Sequence, residues 1–382
     1  MTECCSCENQ RGEDADMPHN STLVHFTDEV AGCLAGQVAV SDAPEFVGGT
    51  FVWTLHDYMG EPGQWPHVSS SFGAIDLAGF AKPPAWWYRS VWLSNISVAD
   101  PGRPPLPLSE TNTTIRIVEA WQAGVTQSRG TSRNIHVYSN APLVGLFVNG
   151  AAVAGGLQKV PHWKASVTFQ NVAYTDGTLS AKAYATDGKT VLAEHKTSSW
   201  GAASKLSLTM DVPSVATGTG SAVYVDGEDV ALLRASVVDS KGNLVRDSSA
   251  NVTFIVTEGP GIVSGVGNGD PACQEPSQVA WRSAYHGLAR GIVRVTVDAS
   301  GTEADRALRA IVNPDSGAAP RSSKILQGPA SAAPKTITVT ASSPGLPSAT
   351  FTVPLSVDPT DAVLAVASAS INLADVGGGD AY

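Results

Sequence analysis

Charge is what this sequence has little of. Asp, Glu, Lys and Arg make up 15% of its 382 residues, against about 25% in an average soluble domain. The formal net charge of −11 is spread without long runs of one sign. Phosphate backbones are gripped by clustered Lys and Arg, so nucleic acid is excluded as a partner. No stretch approaches the roughly 18 to 20 consecutive apolar residues of a membrane-spanning helix, so no membrane partner is expected. The N-terminus shows no basic region followed by an apolar one. A piece of a longer protein would show none either, so this leaves the compartment open. The four Asn-x-Ser/Thr sequons, at Asn20, Asn95, Asn112 and Asn251, favour the secretory lumen, although about two would arise by chance in a Ser/Thr-rich chain.

Cysteine is also scarce. Of five, Cys4, Cys5 and Cys7 crowd together, while Cys33 and Cys273 stand alone. Zinc sites pair one knuckle with a second knuckle or a histidine pair at fixed spacing. That second half is missing here, so neither a metal nor any other cofactor is expected. A disulfide between Cys33 and the cluster, and buried thiols, remain as readings.

Turn formers are plentiful, with 37 Gly and 24 Pro. They favour short strands and all-β modules over long helices, and the length favours two or three domains. The chain divides accordingly. Residues 1–93 mix helix and strand: apolar residues at helical spacing over 22–40, a strand over 50–54, and a helix from Pro84 to Leu93 with proline at its start, where a missing N–H costs least. That cadence is a parallel α/β one. Trp86, Trp87 and Trp92 read as core. Residues 94–112 form a Pro-rich linker.

From 113 to 200 the pattern alternates with period two. Strands are expected at 115–118, 135–138, 144–148, 166–169 and 179–184, with Asn149-Gly150 and Asp187-Gly188 as turns. A second set follows over 204–357, at 206–208, 230–238, 252–256, 292–297, 336–341 and 349–353, and reads as an immunoglobulin-like sandwich. The polar stretch from about 300 to 334 is expected to be an inserted loop, with the 336–353 strands completing that sandwich. The tail 358–382 is expected to be loose. Asp270 and Glu275, in a polar loop, read as turn residues.

Two segments carry chemistry. One is Thr2-Glu3-Cys4-Cys5-Ser6-Cys7 with Gln10-Arg11-Gly12-Glu13. The other is Gly48-Gly49-Thr50-Phe51-Val52-Trp53-Thr54-Leu55-His56-Asp57-Tyr58-Met59-Gly60-Glu61-Pro62, in which an apolar strand runs into polar and aromatic side chains. Together with Ser71–Phe80, and with Gly267-Asn268-Gly269-Asp270-Pro271 and His286-Gly287-Leu288-Ala289 further on, they resemble glycoside hydrolase family 2, the β-galactosidase family, over residues 1 to about 357.

The resemblance implies a multidomain, mainly β protein: a partial (β/α)8-barrel remnant at the N-terminus followed by two β-sandwich (immunoglobulin-like) domains. It implies Glu3 as catalytic nucleophile, Trp53 as the wall on which a sugar stacks, and His56 and Asp57 as contacts to sugar hydroxyls. The partner would be a carbohydrate, a β-galactoside or a relative of one. Retaining glycosidases need a second carboxyl about 5 to 5.5 Å from the nucleophile. The family's acid/base Glu follows an Asn upstream of the nucleophile, and no Asn-Glu pair occurs in this sequence.

The expectation is therefore a chain that starts at the nucleophile segment, is inactive alone, and is prone to aggregate through its first hundred residues. Read without the resemblance, Glu3 is an exposed terminal carboxylate and Trp53 a core residue. The competing function is a non-catalytic β-sandwich protein for carbohydrate binding or adhesion.

Overall fold

The computed structural model describes residues 11, 51–63, 65–93, 112–123, 132–161, 165–211, 222–225, 227–296 and 335–356. They fall into two compact units. One holds the described residues of 1–201 together with 269–274, and the other those of 202–268 and 275–372.

The first unit is built on a two-sheet sandwich. Its strands are β1 (Ile115–Ile117), β2 (Ser132–Ser139), β3 (Leu143–Val148), β4 (Ala151–Ala152), β5 (Gln158–Lys159), β6 (Ser166–Ala173), β7 (Thr178–Tyr184) and β8 (Val191–Ser198). One sheet runs β1-β2-β6 and the other β4-β3-β7-β8, with β5 also on β3, and every pairing is antiparallel. Alternation places Ile115, Ile117, Ile135 and Val137 of one sheet against Val144, Leu146, Leu179 and Ala181 of the other, and Trp121 and Phe169 fill the rest of that core. Asn149 (φ 51°) and Gly150 (φ 83°) turn β3 into β4, the double positive φ that a two-residue hairpin requires. Gln122 fastens one end of the sandwich: its Oε1 accepts from Trp200 N at 2.9 Å and its Nε2 donates to Trp200 O at 3.2 Å.

Among the described residues one helix, α1 (Pro83–Leu93), lies on this sandwich. It starts one residue before the expected position, with both prolines in its first turn. Trp87 and Tyr88 are buried with Tyr138, Val118 and Ala165. Trp92, expected in the core, is 62% exposed and stacks on Tyr88 at 5.0 Å. The packed helix face passes through 84, 87, 88 and 91 at helical spacing, which leaves position 92 on the far side.

Residues 51–82 form no strand ladder. The strand expected at 50–54 is absent among the described residues. Its surroundings supply only isolated bridges, His56 with Ile75 (parallel), Met59 with Ser69, and Ile75 with Ala81 (both antiparallel). The helix expected at 22–40, the Cys4, Cys5, Cys7 and Cys33 positions and Glu3 all lie outside the described residues, as do residues 94–111 of the linker, the inserted loop and the tail.

The second unit is another sandwich. Its strands are β9 (Lys205–Met210), β10 (Val223–Tyr224), β11 (Val230–Val238), β12 (Asn251–Glu258), β13 (Gly261–Gly267), β14 (Trp281–Ser283), β15 (Leu288–Val295), β16 (Thr336–Ser343) and β17 (Leu346–Ser356). The sheets run β13-β15-β11-β9 and β10-β17-β16-β12-β14. β16 pairs with β12, Phe254 facing Ala341, so the strands on either side of residues 300–334 share one sheet, as their alternation requires. At Gly291 of β15 the two sheets approach closely: a Cβ there would meet the Phe254 ring at 2.7 Å.

One cross-strand pair in this unit sets like charges opposite each other, Arg234 against Arg290, an arrangement that destabilises a sheet when nothing offsets it. Here Asp211 bridges both buried guanidiniums, at 2.8 Å to Arg234 and 2.5 Å to Arg290.

Candidate functional site

The polar segment 53–61 is held from beneath by residues 69–82. Ala74 N donates to Thr54 O (3.1 Å), Ile75 N to Leu55 O (2.9 Å), Asp57 N to Ile75 O (2.9 Å) and Ser70 N to Tyr58 O (2.9 Å). The two backbones approach so closely at Gly73 that a Cβ would lie 2.2 Å from Asp57 N and 2.5 Å from His56 C. Only glycine fits there.

Side chains lock the same seam. Lys82, fully buried, donates from Nζ to both Asp57 oxygens at 2.9 Å and to Ser71 O at 3.2 Å. Gly73 N donates to Asp57 Oδ1 at 2.7 Å. Burial pushes the Asp57 carboxyl above the usual carboxylate range, and the Lys82 ammonium draws it back down. A second pair lies nearby. Arg11 Nε donates to Asp76 at 2.6 Å, and Asp76 Oδ1 accepts from Ala78 N and Phe80 N at 2.9 Å each. Residues 269–274, part of this unit, join here too: Val68 N donates to Pro271 O at 2.8 Å. Asp270 closes its own turn through Ala272 N at 2.8 Å.

Above this base the segment turns aromatic and polar groups outward. Trp53 is 40% exposed, and its indole N–H donates to Tyr58 Oη at 3.2 Å, the rings 5.8 Å apart and edge to face. Tyr58 Oη in turn donates to the Glu61 carboxylate. His56 is exposed too. Phe51, Leu55 and Met59 are exposed as well, and Trp65 is 80% exposed. The Trp53–Thr54 peptide is cis. An aromatic face beside hydroxyl and carboxylate groups can stack on a flat apolar surface and accept hydrogen bonds at its edge.

Residues 216–304 match glycoside hydrolase family 2 C-terminal domain 5, and residues 130–192 match a domain of unknown function, DUF4982. The β-galactosidase BoGH2A of Bacteroides ovatus is 30% identical over 246 residues, 64% of this chain and 25% of that protein. The chain is similar to the C-terminal portion of glycoside hydrolase family 2 proteins. A β-glycosidase from Bacteroides vulgatus matches its fold with a TM-score of 0.64 over 92% of this chain and 41% of its own, at 17% identity. A family 2 β-glucuronidase structure matches with a TM-score of 0.59 over 93% and 31%, at 20% identity. The chain thus spans a quarter of the length of the B. ovatus enzyme.

Of the site residues read from the family 2 motif, Trp53 and His56 stand at the exposed rim. Asp57 is 7% exposed, with both oxygens engaged by Lys82. Glu3 lies outside the described residues. Tyr58 and Glu61 went unread as site residues, although their types within a polar, aromatic run were a usable signal. Lys82 was missed as well. A lysine within Phe80-Ala81-Lys82-Pro83-Pro84 is the cue, since a cation in so apolar a run needs a buried acid.

Proposed function

We propose that this chain supplies part of the sugar site and the two C-terminal sandwiches of a retaining, β-galactosidase-like glycoside hydrolase. The observation that carries the reading is the Trp53–Tyr58–Glu61 rim on its buried Asp57–Lys82 base, in a chain with 30% identity to a β-galactosidase over 246 residues. Trp53 is the stacking wall and His56 a hydroxyl contact. Asp57, read from the motif as a hydroxyl contact, serves this site through its ion pair as the anchor of the segment. Glu3 is the nucleophile.

Retaining hydrolysis needs a second carboxyl to protonate the leaving oxygen, and the Asn-Glu pair that supplies it in the family has no counterpart among these 382 residues. The chain by itself therefore does not turn over. The test is hydrolysis of a chromogenic β-galactoside by the purified chain. The expected rate is that of buffer; robust turnover would overturn the division of labour. A non-catalytic carbohydrate-binding role also has support, since sandwiches account for most of the described residues. It predicts sugar binding that is indifferent to the Trp53 rim.

A further inference from the structure

The Trp53–Tyr58–Glu61 relay contains a conformational feature that packing alone does not call for. Glu61 has φ +42°, next to Gly60 at φ +107°. A side chain beyond glycine is costly in this region, by about 1–3 kcal/mol where it persists, and Glu61 also stands directly before Pro62, which restricts it further. The residue is exposed, so no core requires a glutamate here. What the turn achieves is direction: it sets the carboxylate against Tyr58 Oη. Tyr58 holds one carboxylate oxygen, Oε2, while accepting the Trp53 indole N–H. The other oxygen, Oε1, has no partner among the described residues. The cations that flank this segment are engaged elsewhere: Lys82 with Asp57 and Arg11 with Asp76.

We infer that Glu61 is a specificity-determining residue of the Trp53 subsite, positioned by Tyr58. Its outward oxygen accepts a hydrogen bond from a hydroxyl of a neutral pyranoside stacked on the indole, and its charge repels a hexuronide. This deepens the proposed function and rests on it. A fixed anion at the rim, with no described cation paired to it, discriminates by charge. A sugar hydroxyl gains a charge-assisted bond, whereas a uronate carboxylate would face a like charge across a short, partly desolvated gap. Among family 2 substrates this selects galactoside-like over glucuronide-like sugars.

The test is ligand-observed NMR titration of the full chain with methyl β-galactopyranoside and methyl β-glucuronide, using wild type, E61Q, Y58F and W53A, with unchanged sandwich amide spectra as the folding control. Wild type should bind the galactoside at least about tenfold more tightly than the uronide. E61Q should weaken galactoside binding by about tenfold and bring the two sugars close to parity, and W53A should abolish both. Y58F and E61Q should each move the Trp53 indole proton resonance, because Y58F breaks the relay and E61Q weakens it by removing the acceptor's charge; a resonance that stays put in Y58F overturns the positioning role of Tyr58. Equal binding of the two sugars by wild type, or an E61Q ratio unchanged from wild type while W53A still abolishes binding, overturns the role of Glu61 alone. If wild type binds neither sugar, or W53A leaves galactoside binding intact, the Trp53 wall itself fails and this inference falls with it.

Discussion

Replacing Lys82 with methionine tests the buried base of the site. Methionine keeps the length of the side chain and removes the charge. In the native arrangement Asp57 has three donor contacts, two from Lys82 Nζ at 2.9 Å and one from Gly73 N at 2.7 Å. The variant leaves only Gly73. Breaking a buried pair by removing one partner costs about 3–5 kcal/mol, because the remaining charge keeps its desolvation penalty and loses its compensation.

The loss is local, so the fitting assay is hydrogen exchange at the amides that hold the segment, Asp57, Ala74 and Ile75. At pH 7 these should exchange about two to three and a half orders of magnitude faster than in wild type. The pH dependence has a definite sign. Burial raises the Asp57 carboxyl above its ordinary 3.8, and without Lys82 that push is less opposed. A group whose folded value is raised contributes stability that is fully present below its unfolded value and lost as pH rises through the folded one. The K82M deficit should therefore be smallest near pH 4 and widest at neutrality, once intrinsic exchange rates are corrected for. D57N/K82M, which removes the stranded charge and keeps an acceptor for Gly73, should recover much of the protection. Wild-type protection in K82M at pH 7, or a deficit that does not change with pH, would refute the argument.

Two further substitutions read the sandwiches. The Tyr138 hydroxyl is fully buried without a hydrogen-bond partner among the described residues, so Y138F should leave the unfolding free energy of the first unit in urea unchanged or raise it by about 1–2 kcal/mol; a clear loss would mean the hydroxyl is bonded. Burial, with Glu119 adding to it, holds this phenol well above its ordinary 10.0, so wild-type stability should fall above pH 10 by up to about 1.4 kcal/mol per pH unit from this group. Y138F should abolish that share of the slope. In the second unit, G291A drives a methyl into the Phe254 ring and should cost about 1–3 kcal/mol in equilibrium unfolding; no measurable loss would show that the two sheets can part there freely.

The strands that alternation made legible are those with one face in a core. β11, for instance, spans Val230–Val238, the residues the pattern picks out, because Ala231, Leu233, Ala235 and Val237 all point inward. Strands without that contrast escaped. β8 carries Glu194, His195 and Lys196 along a half-exposed sheet edge. β13 reads Gly-Ile-Val-Ser-Gly-Val-Gly, where glycines mimic a turn. Both take their conformation from a neighbouring strand already in place, so the deciding information lies outside the segment.

The site divides along the same line. Trp53 and His56 were picked out because the resemblance carries their residue types in order, and the structure leaves both exposed. The fate of Asp57 was not, because it depends on a lysine twenty-five positions away that becomes its partner only when residues 69–82 fold beneath residues 53–61. A motif fixes which residues are present; burial fixes which of them remain available. Asp57 and Glu61 are both carboxylates on one short run, yet the first is enclosed with a cation and the second is held by a phenol at the surface. The ion pair leaves the first holding the segment in place, while the second stays open to solvent.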